Sequence, residues 1–563
     1  MIAAARTAAL LLLTAPALGA MVPATVPADV STGPVIANII IQRDNVFDPN
    51  VPGENNWMFQ TANKLHFVTR EKVVHDELLF APGEHWDALR VIESERNMRS
   101  GYPYRRVEIT PVPRADGRVD ALVHTQDAWT TNPQIGIGTS GGQSSASFGL
   151  EENNVLGYGK SLRYSHSSGQ TTSGYQSSNS YGYGDPRFLG TRLALNAAYT
   201  KSTVADAESV SLLKPFYALD TPRAMAASWN NVNSIGTEVQ DGTDFSKYTV
   251  RNRVINAEYG LRLNEDRWFV QRVEAGWYAN RAIYGQTTEA PGTVPGTQPG
   301  NVNLSGPTVG YTWIQPRYIK ETYIDRMERV EDYNLGNELR ARTGYMAREM
   351  GADQDRWIFN VADQQGFGLG EGRFALASAQ FSGRLYNNKL ENGLATGNFN
   401  FFWKNYIFER TRTLVAHLEA AQGHKLDLNN QIILGGSTGL RGYRNDAFVG
   451  GRSILMNLED RFFFDGEYFH LVRFGGAVFF ESGSAVPEGS GFSFNRLRSD
   501  VGAGIRAAST RSTSGGIVRF DVAYALNDGP GGSRWVVSLK GGQAFNFFNS
   551  ASNSVTTSPG PGL

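Results

Sequence analysis

One arginine on a Gly-rich loop and two glutamates on alternating segments are the residues whose types could do chemistry together. Arg441 lies in the stretch Gly435 to Phe463, GGSTGLRGYRNDAFVGGRSILMNLEDRFF, flanked by Leu440, Gly442 and Tyr443. Its glycines rule out a helix across the first half. Glu459 falls on the polar side of an alternating segment, in which Ile454, Met456, Leu458 and Phe462 interleave with Asn457, Glu459 and Arg461. Glu481 does the same further on, where Phe474, Val478 and Phe480 oppose Arg473 and Glu481. A loop arginine in water needs no partner. In a narrow protein interior an unpaired guanidinium is strongly destabilising, and its planar fork of donors suits carboxylates. If this loop folds inward Arg441 needs an acid, and Glu459 and Glu481 offer carboxylates on the polar faces of their segments.

Other constellations look like chemistry and lack its context. Gly136, Gly138 and Gly141 satisfy G-x-G-x-x-G. A dinucleotide site needs a helix after that turn, and a Ser/Gly-rich strand pattern follows instead. Gly435 to Gly439 satisfies G-x-S-x-G around Ser437. A nucleophile elbow needs strand, turn and helix, with a histidine brought alongside, and here loop and strand follow. His470 stands downstream beside Asp465. The eight histidines show no metal-ligand spacing, and the chain has no cysteine. No catalytic residue, metal or cofactor is therefore expected, and the reading is non-enzymatic.

The elements that would position the arginine come next. The 563 residues carry a net charge of −1, so no global field points to nucleic acid. Charged residues are 19%, below the usual share for soluble domains, while aromatics reach 11% and glycines number 62. Residues 1–19 read as a signal peptide, with Arg6, an apolar run from Ala8 to Ala15 and small residues at Ala17 and Gly19. That run is too short to cross a bilayer as a helix. Residues 20–34 are a Pro/Ala/Val-rich linker.

Residues 35–131 change period repeatedly, as a small α+β module does. Val35 to Val46 is a β-branched strand. Thr69 is placed to cap a helix carrying Val74 and Leu78, and Gly83 to open a second with Leu89, Ile92 and Met98, ending at Gly101. Val107 and Ile109 mark a strand, Asp116-Gly117 a hairpin turn, and Val119, Ala121 and Val123 the last strand. The order is β-α-α-β-β. Nothing in that order accounts for Asp48 to Thr61.

From 132 to 548 the texture is strands and turns. Ile255, Ala257, Tyr259, Leu261 and Leu263 alternate with polar residues. Val501, Ala503 and Ile505 oppose Asp500 and Arg506, and Val518, Phe520 and Val522 oppose Arg519 and Asp521. Charges on one face, apolar groups on the other and aromatic ends are the dyad pattern of a transmembrane antiparallel β-barrel. Hydrocarbon cannot satisfy a free sheet edge, so such a sheet must close. The length allows about 16 strands. The longest insertions are placed at Ala205 to Thr249, Gly285 to Asn303 and Tyr318 to Asn334. Arg534 to Phe545 is the closing strand, set against Gln134 to Ser140. Residues 549–563 are a Ser/Pro/Gly tail expected to be disordered.

These residues bring a family with them. LLFAPGEHWDALRVIESERNMRSGYPYRRVEI (Leu78 to Ile109), FGLEENNVLGYGKSLRYS (Phe148 to Ser165), GYGDPRFLGTRLAL (Gly182 to Leu195) and the loop residues Leu440, Arg441, Gly442 and Tyr443 are similar to segments of the BamA/TamA-type bacterial surface antigen family of outer-membrane barrels. The resemblance implies a single POTRA-like periplasmic module over 35–131 ahead of the barrel. It makes Arg441 the arginine of a loop that folds into the lumen, Glu459 its first acid, and Glu481 a departure where the family usually has aspartate. It makes the seam of first and last strands a lateral gate, with Gly there equally explained by barrel curvature. It implies an outer-membrane location and assistance to insertion, assembly or translocation of polypeptides. Expected partners are membrane lipid, unfolded or secreted client polypeptides that add to an exposed sheet edge, and accessory periplasmic or lipoprotein subunits. One module is fewer than the family's main assembly and secretion factors carry, which points to an accessory member. The alternatives are a passive pore and a structural or surface-antigen barrel.

Overall fold

The computed structural model describes residues 33–541, apart from residues 102, 141–142, 172–173, 241–242, 287–298, 408–409, 492, 513–515 and 531–532. The expected signal peptide, most of the linker and the C-terminal tail lie outside the described residues.

The first module runs β1 (Ile36–Asp44), α1 (Trp57–Leu65), α2 (Glu71–Glu77), α3 (Ala88–Gly101), β2 (Tyr104–Pro113) and β3 (Val119–Asp127). Its sheet is ordered β1-β3-β2, with β1 parallel and β2 antiparallel to β3. Val74, Leu78, Val91 and Met98 from α2 and α3 pack on Val107, Ile109, Ala121 and Val123 of the sheet. Two helix starts differ from expectation. Thr69 does not cap α2: its N–H and hydroxyl donate to Asp127, at 2.7 and 2.9 Å, and Arg70 stands at the cap without a side-chain bond. α3 begins at Ala88, where the Asp87 carboxylate accepts the N–H groups of Leu89 and Arg90. Gly83 instead turns the chain at positive φ, and its N–H donates to the Ile36 carbonyl.

The stretch Asp48 to Thr61 holds a turn and most of α1. Asn56 caps α1 by accepting from Met58 and Phe59. Phe59 stacks on Phe47 at 4.3 Å, and the pair packs with Val46 beside Trp129 and Leu471 of the barrel region. This segment is the part of the module that docks on the barrel, which is why a freestanding α+β unit had no use for it.

The rest is one antiparallel sheet of twenty strands closed into a barrel. The outward side chains include Val501, Ile505, Val518 and Phe520, all exposed, while their neighbours Asp500, Arg506, Arg519 and Asp521 are buried. Apolar outside and charged inside inverts the soluble pattern and suits a hydrocarbon surround. Among the described residues the first strand, Thr131–Ser140, meets the last, Trp535–Gly541, through one residue pair, Leu539 with Thr139.

The strand count exceeds the expected sixteen for a physical reason. The supposed insertion Ala205 to Thr249 is barrel wall: Ala205–Lys214 pairs with Arg223–Gln240, which pairs with Thr243–Arg262. Glu208, Ser209, Ser211, Asn230, Asn231, Asn233 and Ser234 leave both faces polar, so no period of two shows in the sequence. Tyr318 to Asn334 is an insertion, folded as a hairpin of two short strands, Tyr318–Glu321 and Glu331–Asn334. Most of the third, 287–298, lies outside the described residues.

Candidate functional site

The loop between strands Arg410–His424 and Arg452–Phe463 leaves the barrel at the end away from the module. A short ladder, Ile432–Leu434 with Phe448–Gly450, forms its neck. Below the neck the chain turns inward at Gly435 to Leu440, with Leu440 itself at φ 61°. Gly439 has φ 100°, and a Cβ there would lie 2.3 Å from Leu455. A Cβ on Gly442 would lie 2.6 Å from the Cβ of Asp500. Both positions accept only glycine without rearrangement. Leu440 is fully buried with Leu434, Tyr443, Ala447, Leu455 and Ala525. Tyr443 donates its hydroxyl to the Ser499 carbonyl at 3.0 Å.

Arg441 is thereby held in the lumen. Its Nε and main-chain N–H donate to the two oxygens of Glu481, at 2.7 and 2.6 Å. One terminal nitrogen donates to Glu459 Oε2 at 2.8 Å, and the other to Asp521 Oδ2 at 3.3 Å. The guanidinium lies 3.4 Å from the ring centre of Phe479. The structure thus brings Arg441, Glu459 and Glu481 together, with Leu440, Gly442 and Tyr443 seating the turn. The longer reach of Glu481 lets it bind main chain and side chain of Arg441 at once.

Sequence reasoning missed half of this cluster. Asp521 also accepts from Arg506 at 2.5 Å and from Arg519 at 3.0 Å. Arg461 donates through Nε to Glu459 Oε1 at 2.9 Å and through Nη1 to the carbonyl of Ile324 at 2.6 Å. These residues stood on the charged faces of their strands, so the signal for burial was present. Their partners are set by barrel closure, which no local pattern encodes.

Ile324 belongs to the hairpin Tyr318 to Asn334, which enters the lumen from the opposite, module-facing mouth. Ile324 is fully buried, and Tyr333 packs on Phe374 and Phe402 of the wall. The base of the hairpin holds the module: Asp332 accepts from Arg99 at 2.8 Å, Lys320 donates to Glu95 at 2.8 Å, and Arg96 lies 3.8 Å over the Tyr318 ring. A second clamp joins module to barrel. Arg511 donates to Glu54 at 2.7 Å and to Glu467 at 2.8 Å, with its own Nε on the His470 carbonyl at 2.9 Å. Glu54, Glu467 and His470 are close enough to resemble a metal site. Arg511 already bonds both carboxylates, so the cluster is an ion-pair clamp.

At the junction Asn154 Nδ2 donates to Thr69 Oγ1 at 2.9 Å, next to Asp127. Burial pushes the Asp127 carboxyl up to about 7 and holds the His66 imidazole down at about 4. The two motif matches are not assembled into sites. Ser437 is exposed on a 3-10 turn and bonds Asn445 through its main-chain N–H, while His470 lies at the other mouth, 3.7 Å from Glu54. Gly136 and Gly138 are within the first barrel strand, with no helix after it, and Gly141 lies outside the described residues. Every carboxylate that Arg441 contacts is tied to one guanidinium or more, so the arrangement holds segments in place.

No family model matches the sequence. No curated protein matches it either. Among solved structures, the chain is similar to CdiB from Acinetobacter baumannii, at 12% identity and a TM-score of 0.45, over 90% of this chain and 74% of that one. CdiB from Escherichia coli gives 12% identity and a TM-score of 0.46, over 90% and 76%. BamA from Haemophilus ducreyi lacking POTRA domains 1–3 gives 11% and 0.35, over 90% and 84%.

Proposed function

We propose that this chain is a bacterial outer-membrane barrel that assists the insertion, assembly or translocation of polypeptides, with residues 35–131 as a POTRA-like module in the periplasm. The observation that carries the reading is the pair of segments folded into the lumen. A loop from one mouth bonds Glu459 through Arg441, and a hairpin from the other bonds Arg461, which holds the same carboxylate. A passive pore has no use for two inward segments fastened to one buried cluster. Among the described residues the first and last strands share one residue pair, which makes the seam the candidate place for the wall to part. A weakly paired strand edge can accept another strand through main-chain hydrogen bonds. The apolar outer face supports residence in lipid, and a location without nucleotide leaves binding and folding energy to drive the work. In this reading the protein is not an enzyme and takes no cofactor.

Depletion of the protein followed by quantitative proteomics of the outer membrane tests the function. A fall in particular other outer-membrane or surface proteins is expected. An unchanged profile, together with steady single-channel conductance of the purified protein in planar bilayers, would replace the reading with a pore.

A further inference from the structure

β2 is an edge of the module sheet, since only β3 lies beside it. From Ile109 onward its edge is nevertheless poor for strand addition. The Ile109 N–H donates to Glu95 Oε1 at 2.9 Å, and Pro111 and Pro113, which face the same way by strand alternation, carry no N–H. What lies along this edge is charge. A cleft of about 430 Å³ opens between β2, α3 and the hairpin Tyr318 to Asn334. Arg99, Arg105, Arg106, Lys320, Arg326 and Arg329 line it, against the carboxylates of Glu95 and Glu108 alone. Arg99 and Lys320 are bound to Asp332 and Glu95, and Arg106 to Glu108. Among the described residues, Arg105 and Arg326 make no ion pair and no side-chain hydrogen bond.

We propose that this cleft binds acidic, extended segments of client polypeptides as they approach the barrel. The proposal rests on the polypeptide-handling function above and names the client chemistry that this site selects. The seven residues Tyr104 to Thr110 along one wall span about 20 Å at the rise of a strand, room for an extended peptide of similar length. Main-chain pairing is blocked at Ile109 and beyond, so it is confined to the start of β2, and side-chain charge is what lets the cleft choose among occupants. The hairpin wall ends inside the lumen at Ile324, so an occupant lies beneath the barrel mouth and away from the lipid belt. Burial lowers the pKa of Arg105, with Arg511 adding to the effect and the carboxylates of Glu467, Glu328 and Glu54 opposing it. Burial also lowers Arg329 to about 10, with Arg326 and Arg105 adding to it. An anion in the cleft relieves that mutual repulsion.

The test uses the full-length protein in detergent and a fluorescent peptide of about ten residues, alternating Asp/Glu with Ser, against its Asn/Gln counterpart. Anisotropy should show the acidic peptide binding at least about tenfold tighter, weakening with salt. The double variant Arg105→Glu/Arg326→Glu should lose about that factor. Arg118→Glu, on the exposed turn of the module, should not. Unaltered heat-modified gel mobility of each variant shows that the barrel has folded. Equal affinity for both peptides, or full affinity in the double variant, overturns the proposal. Competition by inorganic phosphate or anionic-lipid vesicles as strong as by unlabelled acidic peptide overturns it too, in favour of a phosphate site. A depletion with no effect on other proteins would instead remove the function beneath it, whatever the peptide does.

Discussion

Arg441 and Arg461 grip the two different oxygens of one carboxylate, that of Glu459, at 2.8 and 2.9 Å. One guanidinium is carried into the lumen by the loop of the mouth away from the module. The other sits on the wall and holds the module-side hairpin through the Ile324 carbonyl. Glu459 therefore ties the loop through Arg441 and the hairpin, one step further, through Arg461.

Removing Arg441 leaves Glu481, Glu459 and Asp521 buried with one cation fewer. Breaking a buried pair in this way costs about 3–5 kcal/mol. Arg441→Ala should shift the heat-modified gel transition to lower temperature and expose the loop 425–451 to trypsin. Unchanged mobility and unchanged cleavage would exclude the anchoring role.

The shared acid makes an asymmetric prediction. Glu459→Gln should loosen loop and hairpin together, whereas Glu481→Gln should loosen the loop alone. Met327, buried near the hairpin tip, reports on the hairpin. The chain has no native cysteine, so Met327→Cys gives a single labelling site. Maleimide should react faster with it in the Glu459→Gln and Arg461→Ala backgrounds, and at the parental rate with Glu481→Gln.

Arg511 joins Glu54 of the module to Glu467 of the barrel turn. Hydrogen bonds to charged groups contribute about 1.5–3 kcal/mol each. Arg511→Ala should raise proteolytic release of residues 33–131 from the membrane fraction. In a double-mutant cycle with Glu54→Ala the two effects should be less than additive.

Asp127 gives a pH signature. Its carboxyl is raised by burial from 3.8 to about 7, so the folded protein holds a proton that the unfolded chain releases at lower pH. The stabilisation that this proton carries is complete below about 4 and is lost as pH rises toward 7. Asp127→Asn has no such loss. Its stability relative to the parent should therefore improve between pH 4 and 7 and level off above, in thermal melts followed by tryptophan fluorescence. His66 slopes the other way, gaining stability for the neutral ring as pH rises from about 4 to its ordinary range, so His66→Gln is the matched control.

Much of the barrel was legible because lipid-facing and lumen-facing residues alternate along Ile454 to Phe462 and Val518 to Tyr524. The same alternation placed Glu459 and Glu481 on the lumen side, while the inward path of the loop bearing Arg441 came from the resemblance. It failed where both faces are polar, as in Ala205 to Gln240. The hairpin Tyr318 to Asn334 read as a plain insertion because its burial comes from Phe374, Phe402 and Arg461, far away in the chain. Thr69 has the chemistry of a helix cap, and a better partner, Asp127, took it. α1 was invisible as a module element because its apolar side is completed by Leu471 and the neighbouring barrel turns.

Glu54 and Arg511 are 457 residues apart. The module core closes over fewer than a hundred residues and can form while the rest of the chain is still emerging. The clamp that seats it cannot exist until the penultimate turn of the wall is in place. The order of assembly is thus written into the chain: the module is ready first and this clamp closes last, so until the cylinder is nearly complete its acidic end, Glu54, waits without its guanidinium.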